Sequence, residues 1–210
     1  MPAPVSIEPN AYSRLDDAFA SFRLNGSALP SRFEVMIYPP DSAGISNGDA
    51  QNAGMRCESI SLPGKNLTTS SDSNMYGVQP MIVDGVSFAG TANMIFTSSR
   101  DLRERKMFED WQSVAWDKVT WNIGYYKDYI GTVDIFLLEQ EVDGFKRSYG
   151  IRLEEAYPKE INGNDLSAGP ATAALKLTIQ MQYKYWTEVT RQIDNQPVIL
   201  RIFKFETNII

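Results

Sequence analysis

Apolar and polar positions alternate along much of this chain, and alternation with period two predicts strands. Phe33-Glu-Val-Met-Ile-Tyr38 alternates, and Pro39-Pro40 stops it. Residues 39–54 hold Pro, Asp, Ser, Gly, Asn and Ala around Ile45 and are expected to be a loop. Met55–Leu62 reads as the next strand, imperfectly alternating and closed by Pro63-Gly64. Residues 65–79 are rich in Ser, Thr and Asn and read as an extended excursion of hairpin type. Pro80–Gly85 reads as a short strand with a turn. Ser87–Thr97 reads as a long strand with Phe88, Gly90, Ala92, Met94 and Phe96 on one face. Gly131–Glu139 and Lys146–Glu155 flank Asp143-Gly144, the strongest hairpin signal in the chain. Residues 156–170, with Pro158, Asn162-Gly163 and Gly169-Pro170, read as a loop. Ala173–Tyr185 then alternates for a dozen residues, with Leu175, Leu177, Ile179, Met181, Tyr183 and Tyr185 inward and Lys176, Thr178, Gln180, Gln182 and Lys184 outward. Val119–Ile123 and Pro197–Phe205 are further candidate strands.

Two stretches carry the helical period instead. In Ser13–Leu24, Leu15, Phe19 and Phe22 fall at i, i+4 and i+7, Ser13 can cap, and Asn25-Gly26 ends the run. The second helix spans 101–116, capped by Ser98 or Ser99, with Arg105, Phe108, Trp111, Gln112 and Ala115 on its aromatic side. Phe108 and Trp111, with Leu177, Ile179 and Met181 of the last regular strand, are the expected core. The sum is a mainly β fold with some α: an antiparallel β-sandwich or barrel-forming domain with one principal flanking helix and a short N-terminal helix. Its expected parts are an arm and short helix (1–30), a β domain (31–186) and a C-terminal extension with a strand (187–210).

Composition narrows the chemistry. The 210 residues include no His and one Cys, Cys57. That excludes Ser-His-Asp and Cys-His catalysis, intrachain disulfides and Cys-rich zinc sites. Twenty Lys and Arg against 26 Asp and Glu leave a net charge of -6, which does not suit tight binding to phosphate backbones. No apolar run approaches the roughly 20 residues that cross a bilayer, and the N-terminus lacks signal-peptide regions. A soluble protein made in a reducing cytoplasm, with no membrane role, is expected.

The remaining motifs favour structure over catalysis. Glu154 and Glu155 are adjacent carboxylates, but neighbouring strand residues point to opposite faces. Gly85-Val-Ser-Phe-Ala-Gly90 lacks the ending and context of a phosphate loop. Cys57 reads as a buried strand thiol. No catalytic residue, cofactor or metal is expected. The long polar excursions, the proline-rich arm and the final strand gain stability by docking on another chain, which points to an assembly protein.

Four segments occur in a telling order: Arg32-Phe-Glu-Val-Met-Ile-Tyr38, Met55-Arg-Cys-Glu-Ser-Ile-Ser-Leu-Pro-Gly64, Lys106-Met-Phe-Glu-Asp-Trp-Gln-Ser113 and Leu177-Thr-Ile-Gln-Met-Gln-Tyr-Lys-Tyr-Trp186. Over residues 31–186 this resembles the tail tube proteins of contractile-tailed bacteriophages, a family similar in fold to type VI secretion and contractile injection tubes. The resemblance implies hexameric rings that stack head to tail around one inner β-barrel. Genomic DNA would pass through the lumen without specific binding. It implies a virion tail component assembled in the host cytoplasm, with itself, tail sheath and baseplate proteins as partners. The Pro39–Gly54 segment and the 24 residues after Trp186 depart from a minimal tube subunit. They leave open a baseplate tube-initiator of the same fold, or an injection-system tube subunit. From other classes, a carboxylate-dependent hydrolase and a carbohydrate-binding module are the alternatives, the latter if Trp121, Tyr125, Tyr126 and Tyr129 form an exposed platform. Segment 63–80 and the termini are expected to make subunit contacts through Met75, Tyr76, Val78, Val198, Ile199, Leu200, Phe203 and Phe205, because these apolar residues are too many to leave in water.

Overall fold

Long alternating runs become long strands. The computed structural model describes residues 19–20, 28–71, 76–141, 144–163, 166 and 174–189. By backbone packing the chain forms two units, Met1–Arg32 and Phe33–Ile210. In the first, residues 19 and 20 are helical. Among its described residues the second holds nine strands: β1 (Phe33–Tyr38), β2 (Cys57–Ile60), β3 (Lys65–Ser71), β4 (Met81–Phe88), β5 (Thr91–Thr97), β6 (Gly131–Glu141), β7 (Gly144–Ile161), β8 (Lys176–Gln182) and β9 (Tyr185–Glu188). It also holds helices α1 (Asn47–Met55), α2 (Arg103–Ala115) and the short α3 (Tyr126–Tyr129). All strand pairing is antiparallel, in the order β1-β6-β7-β8-β5-β2 with β9 also on β7, while β3 and β4 pair with each other. The path ends at β1 and β2 without closing into a barrel.

The 18-residue β7 serves two sheet halves. Its first part lies between β6 and β9; its last part, from Tyr157, pairs with β8. The change comes at Glu155, whose φ is 54°. There β7 sets one extra residue against β6, between the pairs Val133↔Leu153 and Gly131↔Ala156. Such a bulge bends a strand and raises its twist. The two halves, β1-β6-β7-β9 and β7-β8-β5-β2, then enclose one core. Val35, Ile37, Val133, Ile135, Ile151 and Leu153 come from the first half; Ala92, Met94, Phe96, Leu177, Ile179 and Met181 come from the second.

Helix α2 plugs this core with Met107, Phe108 and Trp111. Phe108, Trp111, Leu177, Ile179 and Met181 are all fully buried. The Trp111 Nε1–H donates to the Tyr129 carbonyl at 2.7 Å. The far edge of its ring lies on Gly131, where any Cβ would collide with it.

Several segments differ from their sequence expectation, each for a physical reason. The 39–54 loop contains a 3₁₀ turn (Asp41–Ala43) and most of α1. Its small residues mark close packing: Ala50, Ala53 and Gly54 are buried, and Gly54 lies directly on the Val35 carbonyl of β1. Met55 ends that helix, so the strand after it starts at Cys57. Gly85 is inside β4 rather than at a turn, and the break falls at Ala89-Gly90, where Gly90 takes φ 74°. The expected loop from 156 begins with six paired or flanking β7 residues, Ala156 through Ile161, because a register shift between Pro158 and Glu160 absorbs the missing N–H. Tyr185 belongs to β9, not β8, and β9 crosses the boundary expected after Trp186, since Thr187 and Glu188 pair with Arg152 and Ile151. Helix α2 buries Glu104, Met107, Phe108 and Trp111, whereas Arg105, Gln112 and Ala115 stay at least partly exposed. Val119–Ile123 is no strand: the Asp117 carboxylate accepts from Val119 N–H and the Thr120 hydroxyl, and only Trp116 and Ile123 form a bridge. Gly144 takes φ 140° beside its pair partner Glu141. The rest of the N-terminal helix with Asn25-Gly26, the turn residue Asp143 and the 197–205 strand lie outside the described residues.

Replacing Trp111 by Ala removes a buried indole and its hydrogen bond. Urea unfolding of Trp111→Ala is expected to show a loss of about 3–5 kcal/mol; a loss below about 1 kcal/mol would contradict this packing.

Candidate assembly surfaces

The ribbon β3–β4 is the part of the fold that the core does not explain. It pairs with no other described strand, and all seven β3 residues are exposed. A lone two-stranded hairpin is marginal in water. Its register sorts its side chains. Lys65, Leu67, Thr69 and Ser71 face Phe88, Val86, Val83 and Met81. Between Thr68↔Gly85 and Thr69↔Val83, β4 inserts Asp84, whose carboxylate accepts from the Ser70 hydroxyl at 2.9 Å. Without that extra residue, strict alternation would put Val83 and Met81 on the opposite face from Val86. With it, Leu67, Met81, Val83 and Val86 share one face at 57, 65, 53 and 48 % exposure. At the root, Phe88 packs against Tyr185 and Trp186, and Trp186 Nε1–H donates to the Gly64 carbonyl. Tyr76 and Val78, near the far end, are fully exposed. Met75, Val198, Ile199, Leu200, Phe203 and Phe205 lie outside the described residues.

A second surface is the face of β1-β6-β7-β9 turned away from the core. Neither α2 nor the β8-β5-β2 half lies on it, because both share the core cluster on the other side. Phe136, Gly150 and Val189 form a row there: a Cβ on Gly150 would strike the Phe136 ring and Val189. Arg147 stacks 4.4 Å above the Phe136 ring and its Nε–H donates to Glu34 at 2.8 Å. Arg152 holds Asp134 through two bonds of 2.6 and 2.8 Å, and these bonds raise the guanidinium pKa further. At the sheet margins, Gly54 of α1 covers β1 at Val35, while no described strand pairs with the outer side of β9.

Three of the four aromatic residues weighed as a sugar platform, Trp121, Tyr126 and Tyr129, meet their neighbours edge-on. Trp121 packs edge-on against Trp116, and Tyr126 edge-on against Tyr129, which itself meets Tyr157 edge-on. The Tyr126 hydroxyl donates to Glu155, and burial followed by this bond pushes its pKa up to about 12.

The remaining polar groups are structural. Glu155 accepts from Tyr126 and Lys184, while Glu154 accepts from Thr187, so the two carboxylates have separate partners. No group of three His, Cys, Asp or Glu capable of holding a metal occurs among the described residues. The same residues include no helix long and apolar enough to cross a membrane. Burial pushes the Cys57 thiol up to about 12, despite its contact with the Ser59 carbonyl. The α2 N-terminus is tied by a device that standard spacing rules miss. Leu102 stands at φ 51° before the helix, so Ser99 reaches past it: its Oγ accepts from Arg103 N–H, and its N–H and hydroxyl both donate to Glu104. Arg56 adds an ion pair to Glu104 at 3.2 Å. A capping box places the acid three residues after the Ser; here the separation is five.

The sequence model described as "Phage tail tube protein" matches residues 28–189, from before β1 to the end of β9. The chain belongs to the phage tail tube protein family. Family membership implies a structural part in a virion tail rather than an enzymatic one. No curated protein sequence matches the chain. Among solved structures, it is similar to a chain of the PVC sheath–tube complex, an extracellular contractile injection system in its extended state. Identity there is 12% over 80% of this chain and 95% of that one, with a TM-score of 0.55. A chain of the anti-feeding prophage baseplate shows 17% identity over 78% and 95%, with a TM-score of 0.52. A chain of the anti-feeding prophage tube-terminating cap shows 12% over 77% and 90%, with a TM-score of 0.53. Identities this low show the shared fold: the tube fold of tail and injection systems, built from antiparallel sheet with few helices.

Two measurements check the local chemistry of this tail tube fold. Burial opposes ionisation of Glu104, but the Ser99 bonds and the Arg56 charge outweigh it and hold the carboxyl below its usual range. A depressed carboxyl stabilises the fold above its unfolded pKa, and that contribution is lost as pH falls through the folded one. Glu104→Gln is therefore expected to cost about 1–3 kcal/mol at neutral pH, with the difference from the parent shrinking on acidification below about pH 4. A penalty independent of pH would contradict the ionised cap. Cys57 is half-buried rather than fully buried, and with its raised pKa it is expected to resist alkylation at pH 8 in the native protein and to react on unfolding; fast native labelling would contradict this.

Proposed function

We propose that this chain is the repeating subunit of a phage tail tube whose lumen conducts DNA. Copies close into rings, rings stack, and the sheet β1-β6-β7-β9 lines the channel with the face turned away from the core. The observation that carries the proposal is the β3–β4 ribbon, a two-stranded hairpin that no other described strand extends and whose bulge gathers exposed apolar residues on one side. Apolar area of this kind gains from a dry partner surface. The layer positions support the choice of inner face. The second sheet half and α2 lie on one side of this sheet, and a ring leaves more room outside than inside. The margins support a ring as well: the open side of β9 and the α1-covered side of β1 are unlike, so copies join through unlike surfaces, and such contacts close by rotation. Sixfold closure comes from the family resemblance, with the baseplate of the anti-feeding prophage solved as a 6-fold symmetrised assembly. Sheath and baseplate proteins are the further partners, by analogy with the sheath–tube and baseplate complexes that hold the similar chains.

Negative-stain microscopy of the purified chain is expected to show tubes or stacked rings. Single rings alone would favour a baseplate initiator, and a monomer at high concentration would sink the assembly reading. Met81→Ser with Val83→Ser changes exposed residues, so the fold should lose little while assembly drops sharply in sedimentation. Unaltered tubes from that variant would contradict a role for the ribbon. Truncation is best made after Val189, since Thr187 and Glu188 are paired in β9. The shortened chain is expected to fold and to assemble less well; tubes of unchanged stability would exclude the C-terminal segment from the contacts.

A further inference from the structure

The face of β1-β6-β7-β9 turned away from the core carries its charges in an ordered way. Its described charged residues are Glu34 on β1, Asp134 on β6, and Arg147, Arg152 and Glu154 on β7. Both cations are held by carboxylates. Arg152 makes a two-bond fork with Asp134, which is 3% exposed beneath it. Arg147, 14% exposed, donates from Nε–H to Glu34 and from one terminal N–H to the Met36 sulfur, while its guanidinium plane rests on Phe136. Glu154 accepts from Thr187 on β9.

An exposed Arg is the side chain best shaped to grip phosphate, because its planar fork matches two phosphate oxygens. Each such contact also releases a condensed counterion and so adds affinity that is independent of sequence. A ring repeats each residue in every copy. Two free arginines per subunit would therefore line the channel with phosphate-binding forks and stall a moving duplex. With the forks already occupied, the face presents no free cation among these five groups.

We propose that Glu34 and Asp134 occupy Arg147 and Arg152 so that the channel wall does not adhere to double-stranded nucleic acid passing along it. This rests on the channel reading above. The two carboxylates act through the arginines: they fix the guanidinium groups against the sheet and take N–H donors that phosphate would need, two on Arg152 and one on Arg147.

The test uses the full chain with Glu34→Gln and Asp134→Asn, and a short fluorescent DNA duplex followed by anisotropy. The parent is expected to bind too weakly to measure near about 50 mM salt. The double variant should gain at least about tenfold in affinity and lose that gain by about 200 mM salt. Glu109→Gln is the control for Glu34→Gln: each removes one negative charge, and Glu109→Gln frees Arg105 on α2, away from this face, and should show no such gain. Adding Arg147→Gln and Arg152→Gln to the double variant should abolish the gain, which a merely structural role of the carboxylates does not predict. If removal of the buried Asp134 unfolds the chain, Glu34→Gln alone, at a partly exposed position, should give a smaller gain of the same salt dependence. A gain no larger than that of Glu109→Gln, or tight binding by the parent, would overturn the proposal. Absence of rings from the parent in negative stain would instead sink the channel reading, while duplex binding in solution still reports on the face itself.

Discussion

The bend of β7 at Glu155 is the constraint on which the rest of the fold depends. One strand can serve two sheet halves only if it turns between them, and an extra residue at positive φ supplies the turn. For a Glu this backbone state is disfavoured, so it persists where the surroundings fix it. Here they do. The Glu155 carboxylate receives the Tyr126 hydroxyl at 2.8 Å and the Lys184 ammonium at 2.7 Å, and the Lys184 bond, then the Tyr126 bond, lower its pKa. Lys184 sits in the turn between β8 and β9, and its N–H donates to the Glu154 carbonyl. The bend thus joins α3, β7 and the β8–β9 turn at one side chain. Once it is made, β9 falls beside β7 in the first half and β8 in the second, and α2 has a core to close.

Close backbone approaches are the second theme, and they explain where sequence pattern misleads. Strands with one buried face declared themselves, as in β8, where Leu177, Ile179 and Met181 alternate with Thr178 and Gln180 and are fully buried. Helix α1 did not, because its sequence Asn-Gly-Asp-Ala-Gln-Asn-Ala-Gly-Met has no apolar stripe. What selects those residues is lack of volume: Gly54 meets the Val35 carbonyl, and the Ala side chains fit beneath. A rule that equates small polar residues with loops reads such a helix as a loop. Gly131 under Trp111 and Gly150 beside Phe136 show the same selection inside strands, where side-chain space and not turn formation requires glycine.

The assembly surfaces were legible only in outline. The excess of apolar residues around the 63–80 excursion pointed to a partner surface, but the face it forms depends on the Asp84 bulge. Alternation alone splits Met81 and Val83 from Val86, and nothing in the local sequence marks Asp84 as the extra residue until its Ser70 contact is seen. The pairs on the outward sheet face were hidden for another reason. Glu34 and Arg147 lie 113 residues apart, and only the register β1-β6-β7 places them side by side. The Ser99–Glu104 cap was missed because Leu102 adds a left-handed step that lengthens the usual interval.

Net charge illustrates what composition cannot reach. The chain carries -6 in total. On the outward face of β1-β6-β7-β9, three carboxylates and two arginines among the described residues leave -1, so most of the excess acid lies elsewhere. An argument from total charge predicts weak adhesion to nucleic acid for the whole surface alike. Adhesion is decided locally, because the screening length is only about 8–10 Å at ordinary salt, far less than the width of a domain. Within that distance a phosphate group senses the nearest guanidinium and whatever already occupies its fork. Two arginines held by carboxylates and one free arginine give similar sums over a whole protein and opposite surfaces to a passing strand. The pairing of Glu34 with Arg147 and of Asp134 with Arg152 is therefore the quantity that matters for that face, and it is fixed by strand register rather than by composition.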